Sequence, residues 1–237
     1  MNLLRRATAL LRRQAKPYPV CASAALLGEN PVWSSREQAL YWIDILAGLL
    51  HRYTPSNGSD RTWKVGEEIH ALSLDVDGRP VVAIGNRLLR VEGASGSLTE
   101  CARFEGWNAD CRFNDCTTDA DGRLWIGSMD RRGQRPLGRL LRVDAGGNVV
   151  VALEGLTISN GPAFTAGGKR LYIADSPRRE IYAVEIAADG ATTDRQVFVR
   201  MGDKEGYPDG MAVDVEDHLW VAHYDGWRIS RFDPSGK

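Results

Sequence analysis

The sequence predicts an all-β fold of the β-propeller type, on three observations. A unit of short apolar strands recurs five times within 237 residues, at a period in the forties. The strands in each unit alternate or are wholly apolar, without helical periodicity. Asp-Gly and Gly-Gly pairs lie between them and supply the positive φ that tight hairpins need.

The five copies follow in chain order. The first reads NPVW, ALYWIDI and GLLHRYTP, and the second HALSLD, RPVVAIG and NRLLRVE. The third reads NDCTTD, RLWIGSM and GRLLRVDA, and the fourth GPAFT, RLYIADS and EIYAVEI. The fifth, GMAVD, HLWVAHY and RISRFDP, runs to the last residues. Leu40, Pro80, Leu124, Leu171 and Leu219 occupy the same place in successive copies, at steps of 40, 44, 47 and 48 residues. Pro80 opens its strand, where a missing N–H is tolerated. A β-sandwich with similar hairpins would not keep five copies in phase. The fifth copy stops after its third strand, so the expected ring has its C-terminal blade missing or incomplete.

Composition narrows the function classes. Apolar residues are 43% and charged residues 26% of the chain, an ordinary globular balance. Arg5, Arg6, Arg12, Arg13 and Lys16 make the first twenty residues basic, and the rest holds 25 basic against 31 acidic side chains. An acidic body without a basic, aromatic-studded stripe argues against nucleic-acid binding. No apolar run reaches the ~18 residues of a membrane span, and residues 1–17 make a poor signal peptide. They read as a basic extension, helical or disordered, ahead of a propeller domain at 18–237, with the cytoplasm as the default compartment. Cys21, Cys101, Cys111 and Cys116 form no CxxC pair, which disfavours structural zinc.

The innermost strand of a propeller blade lines the central channel, so residues at its start share one mouth. Ten or eleven places before each matching Leu or Pro stand Glu29, His70, Asn114, Asn160 and Asp209. Two carboxylates and amide oxygens without cysteine suit one divalent cation, Ca²⁺, Mg²⁺, Mn²⁺ or Zn²⁺. Any one of them alone would read as a turn-capping Asx residue; their convergence on one phase favours a site. His70 lies beside Glu67 and Glu68 and is left out of the ligand set.

The stretches LLGENPVW, ALYWIDI, CRFNDCTTDADGRLWIGSM, GLTISNGPAF, RLYIADS, YPDGMAVD and HLWVAHYDGWRISRFDP appear in one order over nearly nine-tenths of the chain. In them the sequence resembles the senescence marker protein / regucalcin / gluconolactonase family. The resemblance implies a six-bladed propeller that hydrolyses sugar-acid lactones. It implies metal ligands at Glu29, Asn160 and Asp209, and substrate contacts at Arg112 and Asn114. Asp209 is then also the expected general base, because no unligated carboxylate shares its phase. A sugar lactone is the expected partner. The rival readings are a non-catalytic calcium-binding regulatory propeller and an inactive lactonase fragment. Three departures from the family pattern stand out. Asn30 and Cys116 occupy places where glycine is usual, and Arg131 or Arg132 replaces an acidic residue, which implies a shift towards acidic sugars.

Overall fold

A computed structural model describes residues 18–93 and 95–237. The basic extension expected at 1–17 lies outside the described residues. Among the described residues, nineteen strands form five antiparallel sheets. Blade 1 holds β1 (Gly28–Ser34), β2 (Ala39–Asp44), β3 (Leu49–Thr54) and β4 (Ser59–Lys64). Blade 2 holds β5 (Ala71–Leu74), β6 (Pro80–Ile84), β7 (Arg87–Val91) and β8 (Leu98–Arg103). Blade 3 holds β9 (Cys111–Thr118), β10 (Leu124–Asp130), β11 (Gly138–Val143) and β12 (Val149–Leu156). Blade 4 holds β13 (Ser159–Phe164), β14 (Arg170–Asp175), β15 (Glu180–Glu185) and β16 (Gln196–Arg200). Blade 5 holds β17 (Tyr207–Val213), β18 (Leu219–Tyr224) and β19 (Arg228–Phe232). No helix among the described residues is long and apolar enough to cross a membrane.

The propeller class is as the repeat predicts, but the blade count needs correcting. The described residues make five blades, the last with three strands; a six-blade count with one blade missing came from resemblance, whereas the periodicity itself counts five.

The blades stack through their side chains. Strand alternation sends Leu72 and Val82 of blade 2 towards Ile43 and Leu50 of blade 1, and sends Ala71 and Ala83 towards Phe113 and Ile126 of blade 3. Trp125, Leu140 and Leu156 of blade 3 meet Leu171, Ile173 and Val184 of blade 4, and Tyr172 and Ile181 of blade 4 meet Leu219 and Val221 of blade 5. Four apolar layers therefore join five blades. The far face of blade 5 leaves Trp220, Tyr224 and Ile229 exposed.

The Asp turns between paired strands are locked by their own carboxylates. Asp119 accepts the N–H of Asp121 (3.0 Å) and Arg123 (2.9 Å) through Oδ1 and the Trp125 indole N–H (2.7 Å) through Oδ2. Asp75 and Asp214 repeat the pattern with the N–H groups of Asp77, Arg79, Glu216 and His218. The left-handed residue each turn requires is Gly78, Gly122 or Asp217.

Candidate metal centre

The channel mouth is shaped by a defect repeated in four blades. On β1, β9, β13 and β17 two residues oppose one on the neighbouring strand: 30 and 31, 114 and 115, 161 and 162, and 209 and 210. Such a bulge bends the strand and re-aims its side chains. Glu29 and Asn160 stand immediately before their bulges, while Asn114, Asp115 and Asp209 lie within theirs. The inner pair of blade 2, β5 with β6, has no bulge, its register running unbroken from Ala71↔Ala83 to Leu74↔Pro80. His70, just before β5, is buried, with Nε2 3.2 Å from Glu68 and Nδ1 without a partner among the described residues. Burial, then the Arg112 charge, lowers its pKa and keeps the ring neutral.

A chain of hydrogen bonds holds Asn160. Its Nδ2 donates to Ser176 Oγ (2.9 Å), and that hydroxyl donates to the carbonyl of Pro208 (2.6 Å), the residue before Asp209. Because the Ser176 proton is committed to a carbonyl, the hydroxyl can only accept from Asn160, which settles the amide's orientation. Asn160 Oδ1 accepts from Asn114 Nδ2 at 2.6 Å, and Asn114 also donates to Ser159 O at 3.0 Å. Arg112 Nη1 donates to Asn114 Oδ1 and to Phe113 O, both at 2.9 Å. Three residues of the predicted set, Arg112, Asn114 and Asn160, thus form one bonded string. Asn114 has both amide hydrogens engaged and keeps one acceptor site free.

The carboxylates crowd one another. Burial pushes Glu29 up to about 7, with the charges of Asp209 and Asp115 adding to the shift and Arg112 opposing it. Asp209 is also raised, by burial against an opposing hydrogen bond from the Gly210 backbone. An acidic pocket containing two half-buried carboxylates and an oriented amide oxygen fits a hard divalent cation. Glu29, Asn160 and Asp209 are the residues that could hold it.

Sequence reasoning missed Asp115. Its Oδ1 accepts from Asn30 Nδ2 (2.5 Å) and Cys116 N (2.8 Å), and its Oδ2 from Gly161 N (2.7 Å). Burial raises its pKa to about 6 despite these donors. It ties blades 1, 3 and 4 together. The only signal was its adjacency to Asn114. Asp44 and Asp175, buried at the ends of β2 and β14, were also missed. Asp44 accepts the N–H groups of Leu26 and Leu27 ahead of Glu29, and Asp175 those of Thr157 and Ile158 ahead of Asn160. Each therefore positions the backbone that carries a candidate ligand.

Two departures from the family pattern resolve differently. Asn30 adopts φ +48°, a left-handed conformation that asparagine tolerates, and its Oδ1 accepts from Leu72 N at 3.0 Å. Cys116 is absent from the left-handed residues, so no glycine is required there; its thiol donates to Leu72 O at 3.2 Å.

Among the described residues a tighter acidic group, Asp214, Glu216 and His218, has ligand atoms within 4.8 Å of one another. Asp214 there is occupied by the turn N–H groups, by Trp220 Nε1 (2.8 Å) and by Arg231 Nε (2.8 Å). It is a turn lock.

Residues 27–237 match the sequence profile of the SMP-30/gluconolactonase/LRE-like region. The chain is 37% identical to a 6-deoxy-6-sulfogluconolactonase of Pseudomonas putida, over 92% of this chain and 75% of that protein. It is 34% identical to pentonolactonase XacC of Haloferax volcanii, over 92% and 73%. The fold superimposes on a calcium-binding protein, regucalcin, from Agrobacterium tumefaciens with a TM-score of 0.86 and 27% identity, covering 92% of this chain and 74% of that one.

Proposed function

The chain belongs to the SMP-30/gluconolactonase/LRE-like family, and on that premise we propose that it hydrolyses sugar-acid lactones with one divalent cation held by Glu29, Asn160 and Asp209. The observation that carries the reading is the convergence of buried, mutually repelling carboxylates with an amide oxygen oriented by Ser176. A cation bound there supplies Lewis-acid polarisation of the lactone carbonyl and a lowered pKa for the attacking water. Asp209, one of the residues that would hold the cation, would also take the proton of the attacking water as general base. Arg112 directs its uncommitted N–H groups at the developing negative charge. Asn114 aligns Asn160 and Arg112 and offers its remaining acceptor site to a sugar hydroxyl.

The cation is Ca²⁺, Zn²⁺, Mn²⁺ or Mg²⁺, and oxygen ligation admits each.

The test is hydrolysis of aldonolactones by the purified protein, followed by acid release, with EDTA and after return of each metal in turn. Turnover should vanish with the chelator, and Asp209→Ala should lower it about 10³-fold, the scale of several kcal/mol of transition-state stabilisation. Unchanged turnover in Asp209→Ala overturns the assignment. Metal binding without turnover of any lactone favours the regulatory reading.

A further inference from the structure

The candidate ligands Asn160 and Asp209 lie on different blades, and one closed circuit of bonds joins their supports. The 3-10 turn Ser176–Arg178 follows β14. Ser176 Oγ donates to the carbonyl of Pro208 at 2.6 Å, one residue before Asp209. Arg179 closes the turn: its N–H donates to Ser176 O at 2.9 Å, and its own carbonyl accepts from Met201 N at 2.9 Å. Residues 201–208 then complete the circuit back to Pro208.

Arg179 adopts a left-handed conformation, φ +57° and ψ +30°, which glycine or asparagine reaches at lower cost. A long cationic side chain at such a place offsets the strain through its contacts. Its guanidinium stands 4.4 Å from the centre of the Tyr207 ring, and Nη1 donates to Gly202 O at 3.3 Å. Tyr207 opens β17, two residues before Asp209. The stack therefore holds the turn that carries Ser176 against the strand that carries Asp209. The ion pair with Asp203, 3.7 Å away, adds little, because that carboxylate is fully exposed. Arg178 is engaged elsewhere: half exposed, it pairs with Asp175 at 3.2 Å. At its other end the loop is fastened to blade 5 by Glu205. The Glu205 carboxylate accepts from Arg228 at 2.6 Å, and its carbonyl lies 2.7 Å from His223 Nδ1. Arg179 is the matching fastening to blade 4.

We infer that Arg179 is a positioning residue for the cation site: its stack on Tyr207 fixes the separation of Asn160 and Asp209, so that both reach one ion. The inference rests on the cation site proposed above. A cation stacked on an aromatic ring is a modest contact by itself. Its leverage comes from the ion, whose distances to oxygen ligands are narrowly set.

The experiment titrates Mn²⁺ alone into the purified protein by calorimetry, in wild type, Arg179→Asn, Tyr207→Phe and Arg195→Asn. Amide hydrogen exchange over residues 201–211, without metal, runs in parallel. Asparagine accepts the left-handed backbone but is too short to cover Tyr207. Arg195 is the comparison, since it stacks on Tyr182 at 4.9 Å while its hydrogen bonds go to Glu154 O and Gly155 O. Arg179→Asn should lower Mn²⁺ affinity about 10-fold, the lower end of the loss when the support of a metal ligand is removed, and should speed exchange over 201–211. Tyr207→Phe, which keeps the ring, and Arg195→Asn should change neither. Unchanged Mn²⁺ affinity in a folded Arg179→Asn overturns the inference. An equal loss in Arg195→Asn also overturns it, because the effect would then follow from any lost stack. A wild type that binds no Mn²⁺ sinks the cation reading itself. Exchange then decides the fastening: faster in Arg179→Asn alone supports it, and unchanged overturns it.

Discussion

The layers between blades and the mouth of the channel are built from the same five repeats, yet they are organised in opposite ways. Between blades, each buried apolar residue meets several others of its kind, and the layer joining blades 3 and 4 repeats the plan of the layer joining blades 1 and 2. At the mouth no two blades contribute the same set of groups. Glu29, Asn114 with Asp115, Asn160 and Asp209 come from blades 1, 3, 4 and 5, and the inner strand of blade 2 carries no bulge. Apolar packing is non-directional and tolerates averaging over many contacts. Hydrogen bonds and charges are directional, so each polar group at the mouth depends on one or two named partners.

Substitutions in the two regions should therefore fail differently. The largest effect on stability is expected at Leu140, fully buried between blades 3 and 4. Leu140→Ala should cost about 2–5 kcal/mol, from lost transfer free energy and the cavity left behind. Chemical denaturation measures this, and turnover per folded molecule should persist; loss of turnover with stability intact would erase the contrast.

Ser176→Ala should do the reverse. It strands Asn160 Nδ2 and the Pro208 carbonyl, freeing the amide to rotate. Metal affinity should fall about 10- to 100-fold, and excess metal should restore most of the turnover. A titration in which saturating metal gives no recovery would show that Ser176 acts otherwise than by orienting Asn160.

The smallest effect is expected at Asn30, where the two regions touch. Glycine would adopt φ +48° more easily, but it would leave Leu72 N and Asp115 Oδ1 without their present partner. Two lost hydrogen bonds outweigh the backbone gain, and Asn30→Gly should be destabilising by about 1 kcal/mol. A higher melting temperature for the variant would mean that backbone strain dominates.

Much of the fold was legible in the chain. Strand alternation, the Asp turns and the phase of Leu40, Pro80, Leu124, Leu171 and Leu219 are local periodic signals, and β2, β6, β10, β14 and β18 carry those residues. The phase rule picked out Glu29, Asn114, Asn160 and Asp209 as candidates, because a position repeated at the start of each inner strand maps to one mouth. It also picked out His70, which stands just before β5, a strand whose register with β6 is unbroken. It passed over Asp115, one place out of phase, and Ser176, which belongs to a short 3-10 turn between β14 and β15.

The sequence by itself determined the all-β repeat, the blade boundaries and the candidate ligands, since all three follow from spacing along the chain. Only the tertiary structure decided which way the Asn160 amide faces and that Asp115 and Asn30 tie blades together. The physical reason is that these contacts join residues on separate strands and blades, such as Asn30 and Asp115, 85 residues apart. Their geometry exists only once the blades are wound round a common axis.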